Sequence, residues 1–310
     1  MEAIKGLHHI TAIASDAQEN ANFYTRILGQ RLIKTTVNFD DPGTYHLYYG
    51  DEVGAPGTIM TFFPWKNAHR GKLGNGETSA VAYSIDPVSV GFWRDHLVQK
   101  GINLGPIEQR FNSEVISFTD PDGMNLELIA HETSSTIRHW ENSPIPEKHV
   151  LGGFHGVTLW VAEVDLTAQL LSDIFGYTLE AQEGSRYRFK ADSNSIGNYV
   201  DIVHRPGQPL GLFGSGSIHH IAFRTVDDIE QSEYQKTLRD AGLYVTPVRD
   251  RQYFRSIYFR IPSGILFEIA TDEPGFLYDE SISELGTHLK LPPWLEPRRE
   301  EIINPLPFYN

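Results

Sequence analysis

Residues 7–13 read LHHITAI, and residues 218–224 read IHHIAFR. At both places two adjacent histidines open an apolar, strand-like run. Two further stretches fit the same frame: TSAVAYS at 78–84 and FHGVTLW at 154–160. All four align on the apolar residue after the pair: Ile10, Val81, Val157 and Ile221. The slot before it holds His9, Ala80, Gly156 and His220. The slot before that holds His8, Ser79, His155 and His219. A frame that recurs four times marks an internal repeat, which takes precedence over any residue-by-residue reading.

The ends of the units repeat as well. FTDPDGMNLELIA and RIPSGILFEIA share Pro-x-Gly-x-x-x-Glu, with Glu127 and Glu268 in the last slot. Pro and Gly between β-rich flanks read as a hairpin. Two weaker copies place Thr61 after Gly57 and Asp201 after Gly197. Helix-like stretches follow each opening strand at Ala17–Leu28, Val88–Gln99, Asp165–Phe175 and Val226–Ala241, several with an acidic or Ser residue near the start. Each unit reads strand–helix–strand–strand–strand over roughly 55–65 residues. Unit one runs to about Pro64, unit two covers Glu77–His131, unit three Leu151–His204, and unit four Ser217–Thr271. This predicts an N-terminal half at residues 1–140, a C-terminal half at 150–272 and a wrapping tail at 273–310. Glu132–Val150 and the Gly-rich Gly207–Ser217 read as linkers, the latter as unstructured.

Composition narrows the function. The 310 residues carry a formal net charge of -14 without a basic stretch, which argues against nucleic acid or an anionic membrane as partner. The absence of cysteine excludes disulfides, thiolate metal sites and cysteine nucleophiles. No apolar run approaches the ~20 residues of a membrane span, and the expected location is the cytoplasm. GSGS precedes no Lys-Ser/Thr and is no phosphate loop. No Gly-x-Ser-x-Gly elbow supports a hydrolase.

Paired βαβββ units with His opening the first strand and Glu on the last resemble the vicinal oxygen chelate superfamily, over residues 5–271. The resemblance implies an α+β fold in which four modules pair into two curled mixed-sheet domains around metal-binding cavities. Neutral imidazole and carboxylate bind divalent Fe, Mn, Zn or Ni. Units one and four together offer His9, His220 and Glu268, with Thr61 a poor fourth ligand. Units three and four offer His220, Glu268 and Asp201. Units one and two offer His9 and Glu127, and units two and three offer no histidine. Only the first set is a His-His-Glu facial triad, which leaves positions open for substrate and O₂.

LHHIT, YHLYYGDEVGAPGTIMTFFPW (45–65) and DRQYFRSIYFRIPSGILFEIAT (250–271) are similar to segments of the hydroquinone-type ring-cleaving dioxygenases. That similarity implies the pairing of unit one with unit four, with Fe(II) on His9, His220 and Glu268; Mn(II) accepts the same ligands. It also implies catalytic support from His8, His219, Arg251 and Tyr258. The implied partners are a small aromatic diol and O₂, with self-association left open. The alternatives are a glyoxalase-like isomerase or thiol transferase, which Thr61 disfavours, and a non-catalytic aromatic-binding protein.

Tyr258 has a reading of its own. A three-residue loop at Pro262–Gly264 pairs Ile261 with Ile265 and sets Tyr258 opposite Glu268, facing the same cavity. His8 and His219 read less simply. Neighbouring strand residues face opposite ways, so they reach the site only where the strand twists or bulges. His46 and His155 read as structural, and Glu127 and Asp201 as vestigial or structural.

Overall fold

The structure is a computed structural model that describes residues 2–131, 137–192, 196–307 and 309. Unit one comprises β1 (Leu7–Ala14), α1 (Ala17–Asn22), β2 (Arg31–Asn38), β3 (Asp41–Gly50) and β4 (Ile59–Pro64). Unit two comprises β5 (Glu77–Ile85), α2 (Val90–Gln99), β6 (Glu108–Arg110), β7 (Ser113–Thr119) and β8 (Asn125–Ala130). Unit three comprises β9 (Phe154–Val161), α3 (Asp165–Gln169), β10 (Thr178–Glu183), β11 (Arg186–Lys190) and β12 (Tyr199–His204). Unit four comprises β13 (Ile218–Thr225), α4 (Asp228–Asp240), β14 (Arg249–Asp250), β15 (Arg255–Arg260) and β16 (Leu266–Thr271). The tail carries a short helix, α5 (Arg299–Ile303).

Helix starts follow capping chemistry. Asp16 accepts from the Glu19 amide at 2.8 Å, and Asp227 accepts from the amides of Ile229 and Glu230. The stretches expected as single helices in units one and three instead widen into π-helical turns at Phe23–Ile27 and Leu170–Ile174. These turns send Phe23, Tyr24, Leu170 and Leu171 into the core.

Two eight-stranded sheets result. One has the order β14-β15-β16-β13-β1-β4-β3-β2, the other β10-β11-β12-β9-β5-β8-β7-β6. Unit one therefore shares a sheet with unit four, and unit two with unit three. Neither sheet is confined to one half of the chain. The antiparallel seams are β1 with β13 and β5 with β9.

Register is the same in all four units. Two residues beyond the pair, Thr11 lies beside Thr61, Ala82 beside Glu127, Thr158 beside Asp201 and Ala222 beside Glu268. Across the next strand those slots face Tyr48, Ser117, Arg188 and Tyr258. Each seam also skips one residue per strand. His8 falls between the pairs Leu7–Phe223 and His9–Ala222, and His219 between Thr11–His220 and Ala12–Ile218. Ser79 and His155 are skipped in the same way in the other seam. These are β-bulges, which re-aim a side chain that alternation would send to the far face.

The Gly-rich segment at 207–217 is not the unstructured linker its composition suggests. It bridges to residues 70–75 through Arg70–Ser215, Lys72–Leu212 and Asn75–Leu210. Non-local backbone pairing supplies the order that glycine does not. The tail lies along β2: the Lys290 amide donates to Thr35 at 2.9 Å, and Val37 packs with Leu291, Leu295 and Ile302. Lys34 is fully buried and bonds Asp279 at 2.6 Å together with Glu280. Among the described residues no helix is long and apolar enough to cross a membrane.

Candidate metal centre

His9 and His220 sit diagonally across the β1–β13 seam on one face, and Glu268 lies on β16 beside β13. Their ligand atoms form a tight triangle. Glu268 Oε2 is 2.9 Å from His220 Nε2 and 3.4 Å from His9 Nε2, and the two Nε2 atoms are 3.3 Å apart. All three residues are buried, and Glu268 is inaccessible. Among the described residues this is the one cluster of three such side chains close enough to share an ion.

The bulged histidines fix the rings. His8 Nδ1 lies 2.9 Å from His9 Nδ1, and His219 Nδ1 lies 2.7 Å from His220 Nδ1. With its Nδ1 engaged by His8, the His9 ring turns its Nε2 toward Glu268. A metal-binding histidine is held in this way by a partner on its other nitrogen. Burial, then the adjoining His9 ring, keeps His8 well below the usual histidine range. Burial, then His220, pushes His219 down to about 3. Burial alone would raise the Glu268 carboxyl; His9 and His220 outweigh it and hold it well below the usual range.

Glu268 Oε1 accepts from Ser256 Oγ, while Oε2 is buried and accepts no directed hydrogen bond. A carboxylate oxygen and two imidazole Nε2 atoms thus converge in a buried place. That is costly unless a cation joins them. Metal–ligand bonds of ~2.1 Å at right angles put ligand atoms about 3 Å apart. The observed edges fit that spacing, so the donor set, geometry and unspent oxygen all suit a divalent metal.

A cavity of about 190 Å³ opens beside the triangle, lined by His9, His46, Tyr48, Phe63, Trp65, His219, His220, Arg251, Phe254 and Tyr258 among others. Tyr258 is opposite Glu268, as the loop count requires. Arg251 Nε donates to the Tyr258 hydroxyl at 3.0 Å, and its other end pairs with Asp40 at 2.8 Å. His219 reaches the cavity wall; His8 is not part of it and packs on Phe254 instead.

Sequence reasoning read His46 as structural and gave Tyr48, Phe63, Trp65 and Phe254 no role; all five line the cavity. Tyr48 holds in unit one the position that Tyr258 holds in unit four. Repeat equivalence was the available signal, but the β3–β4 connection spans residues 51–58 and hides the register.

The corresponding place in the second sheet is filled by ion pairs. Arg110 grips Glu127 with two bonds of 2.7 and 3.0 Å. Arg188 grips Asp201 with bonds of 2.8 and 2.9 Å, and Arg186 adds a third at 2.9 Å. Both carboxylates are fully engaged without a metal. Gly156, in the histidine slot, has no room for a side chain: a Cβ there would lie 2.1 Å from the Tyr199 carbonyl.

The chain matches the profile of the Glyoxalase/Bleomycin resistance protein/Dioxygenase superfamily over residues 6–128. It is 44% identical over 98% of both chains to a Bacillus subtilis protein provisionally named ring-cleaving dioxygenase MhqE. It is 33% identical, over 97% of this chain and 96% of the other, to chlorohydroquinone/hydroquinone 1,2-dioxygenase of Sphingobium indicum. A crystal structure provisionally described as a Bacillus subtilis dioxygenase superposes with a TM-score of 0.94 at 42% identity, covering 100% of this chain and 99% of that one.

Proposed function

The chain belongs to the Glyoxalase/Bleomycin resistance protein/Dioxygenase superfamily, and on that premise we propose that it is a ring-cleaving dioxygenase of hydroquinones or catechols, with Fe(II) held by His9, His220 and Glu268. The observation that supports this best is the convergence of three buried ligating side chains with, among the described residues, no fourth His, Asp or Glu beside them. Thr61, the counterpart of Glu268, spends its hydroxyl on Thr11 and His46 at 2.8 Å each. Three ligands leave coordination positions free, as a reaction between two bound partners requires; a four-ligand isomerase-type site would not need them. Mn(II) accepts the same set, and Fe(II) is the proposal for O₂ chemistry. When bound, the metal would supply one coordination sphere in which diol and O₂ meet.

The chain's own groups do the rest. Phe63, Trp65 and Phe254 form an aromatic wall that suits a flat ring and keeps water off it. Arg251 places a fixed positive charge next to Tyr258, where negative charge on a substrate oxygen would be stabilised. His219 lines the cavity beside His220, where its ring would accept a hydrogen bond from a substrate hydroxyl. His8 acts through His9 by holding its ring. The proposed role is detoxification or catabolism of quinol compounds.

Anaerobic iron loading tests the ligand assignment. The expected result is one iron per chain in the native protein and in Asp201→Ala, and little in His9→Ala or Glu268→Gln. Loss of iron in Asp201→Ala with retention in His9→Ala would overturn it.

A further inference from the structure

The repeat that places Glu268 and Tyr258 places a second polar arm in the same cavity. Thr61 corresponds to Glu268 and Tyr48 to Tyr258 by register. His46, two residues before Tyr48, corresponds to Ser256. In unit four Ser256 bonds the Glu slot; in unit one His46 Nε2 does so, meeting Thr61 Oγ1 at 2.8 Å. His46 Nδ1 then meets the Tyr48 hydroxyl at 2.8 Å, and Thr61 Oγ1 meets Thr11 Oγ1 at 2.8 Å. The result is an unbranched chain, Thr11–Thr61–His46–Tyr48, with its far end buried and its near end at the cavity wall.

Counting protons gives the chain a direction. A neutral imidazole carries one N–H, and each hydroxyl one O–H. Three bonds therefore consume three of four protons. His46 has a hydroxyl on each ring nitrogen and no carboxylate on either, so the neutral count applies. If the bonds ran from Tyr48 inward, the unspent proton would be on Thr11. Thr11 is inaccessible, and among the described residues its hydroxyl has Thr61 as its one partner. A buried donor left without a partner is unfavourable. If the bonds run from Thr11 outward, Thr11 donates to Thr61, Thr61 to His46 Nε2, and His46 Nδ1–H to the Tyr48 oxygen. The unspent proton is then the Tyr48 O–H, at the wall of the cavity.

We infer that Tyr48 is a substrate-contacting hydrogen-bond donor, aimed at an acceptor oxygen on the ring remote from the metal, and that His46 is the residue that positions it. The inference rests on the aromatic-diol reading and sharpens it: the second oxygen of the substrate is met as an acceptor. The two arms differ in charge. Tyr258 is backed by the Arg251 guanidinium, Tyr48 by a neutral ring.

The test is calorimetric binding to the full chain loaded with Zn(II), which carries no redox chemistry. The probes are hydroquinone, 4-methoxyphenol and phenol. Native protein is expected to bind hydroquinone and 4-methoxyphenol alike, because an ether oxygen still accepts. Tyr48→Phe is expected to weaken both about tenfold, the loss of a single good hydrogen bond, and to leave phenol unchanged. His46→Leu should follow Tyr48→Phe. His46→Asn should retain binding, since its amide nitrogen replaces Nδ1 as donor; a merely structural histidine would show no such rescue. Equal binding by Tyr48→Phe and native protein overturns the inference, as does equal weakening of all three probes. If native protein binds none of the probes, the aromatic-diol reading itself fails.

Discussion

Lys34 ties the tail to the sheet that carries the metal centre, and its removal has a calculable cost. Its ammonium is inaccessible, bonded to Asp279 at 2.6 Å and to Glu280, and lies 4.8 Å from the centre of the Tyr253 ring. Tyr253 in turn donates to Asp279 at 3.1 Å and stacks on Phe276. Lys34→Met leaves a buried carboxylate, Glu280, without its cation. Removing one member of a buried pair costs about 3–5 kcal/mol. An unfolding entropy of roughly 2.1 cal/mol/K per residue, over a chain of 310 residues, gives a fall in Tm of about 5–8 °C. Differential scanning calorimetry at neutral pH measures it. The reasoning also fixes the partner: Lys34→Met combined with Asp279→Asn and Glu280→Gln should recover most of the loss, because no uncompensated charge remains. A shift below about 1 °C in Lys34→Met, or a triple variant no better than the single one, would refute the claim that the buried charge drives the effect.

Two more outcomes follow from the same physics. Burial raises the Asp120 carboxyl from 3.8 to about 7, so its contribution to stability is full below about 4 and lost as pH rises through 7. Asp120→Asn keeps acceptor geometry toward the Met124 amide and removes that loss; urea midpoints at pH 5 and 8 should differ less in the variant than in native protein. Gly156→Ala brings a methyl within 2.1 Å of the Tyr199 carbonyl and should destabilise the chain by more than about 2 kcal/mol, whereas Gly91→Ala, with open space around it, should stabilise α2 slightly; chemical denaturation compares them.

What the sequence disclosed and what it concealed have separate physical causes. The four units were legible because each writes its pair, its apolar run and its turn in the same order. The Tyr258–Glu268 pairing was legible because a three-residue loop leaves one register. The bulges at His8 and His219 were not: a skipped residue is a property of two strands at once and leaves no composition signal. For the same reason the ordered bridging of residues 70–75 with 210–215 was hidden, since glycine-rich chain gains its order from a distant partner. His46 was read as structural because its neighbours Thr61 and Thr11 are far apart in sequence and meet only across β1, β4 and β3. The arginines that fill the second sheet's carboxylate slots were equally hidden. Arg110 comes from a three-residue strand at the sheet edge, with little pattern to announce it.

The most direct measurement is oxygen uptake by anaerobically iron-loaded protein given methylhydroquinone, with the product's mass followed. The account predicts one O₂ consumed per ring, a product heavier by both oxygen atoms, and no such product from Glu268→Gln. Bound iron without oxygen uptake on methylhydroquinone or any other hydroquinone or catechol would contradict it.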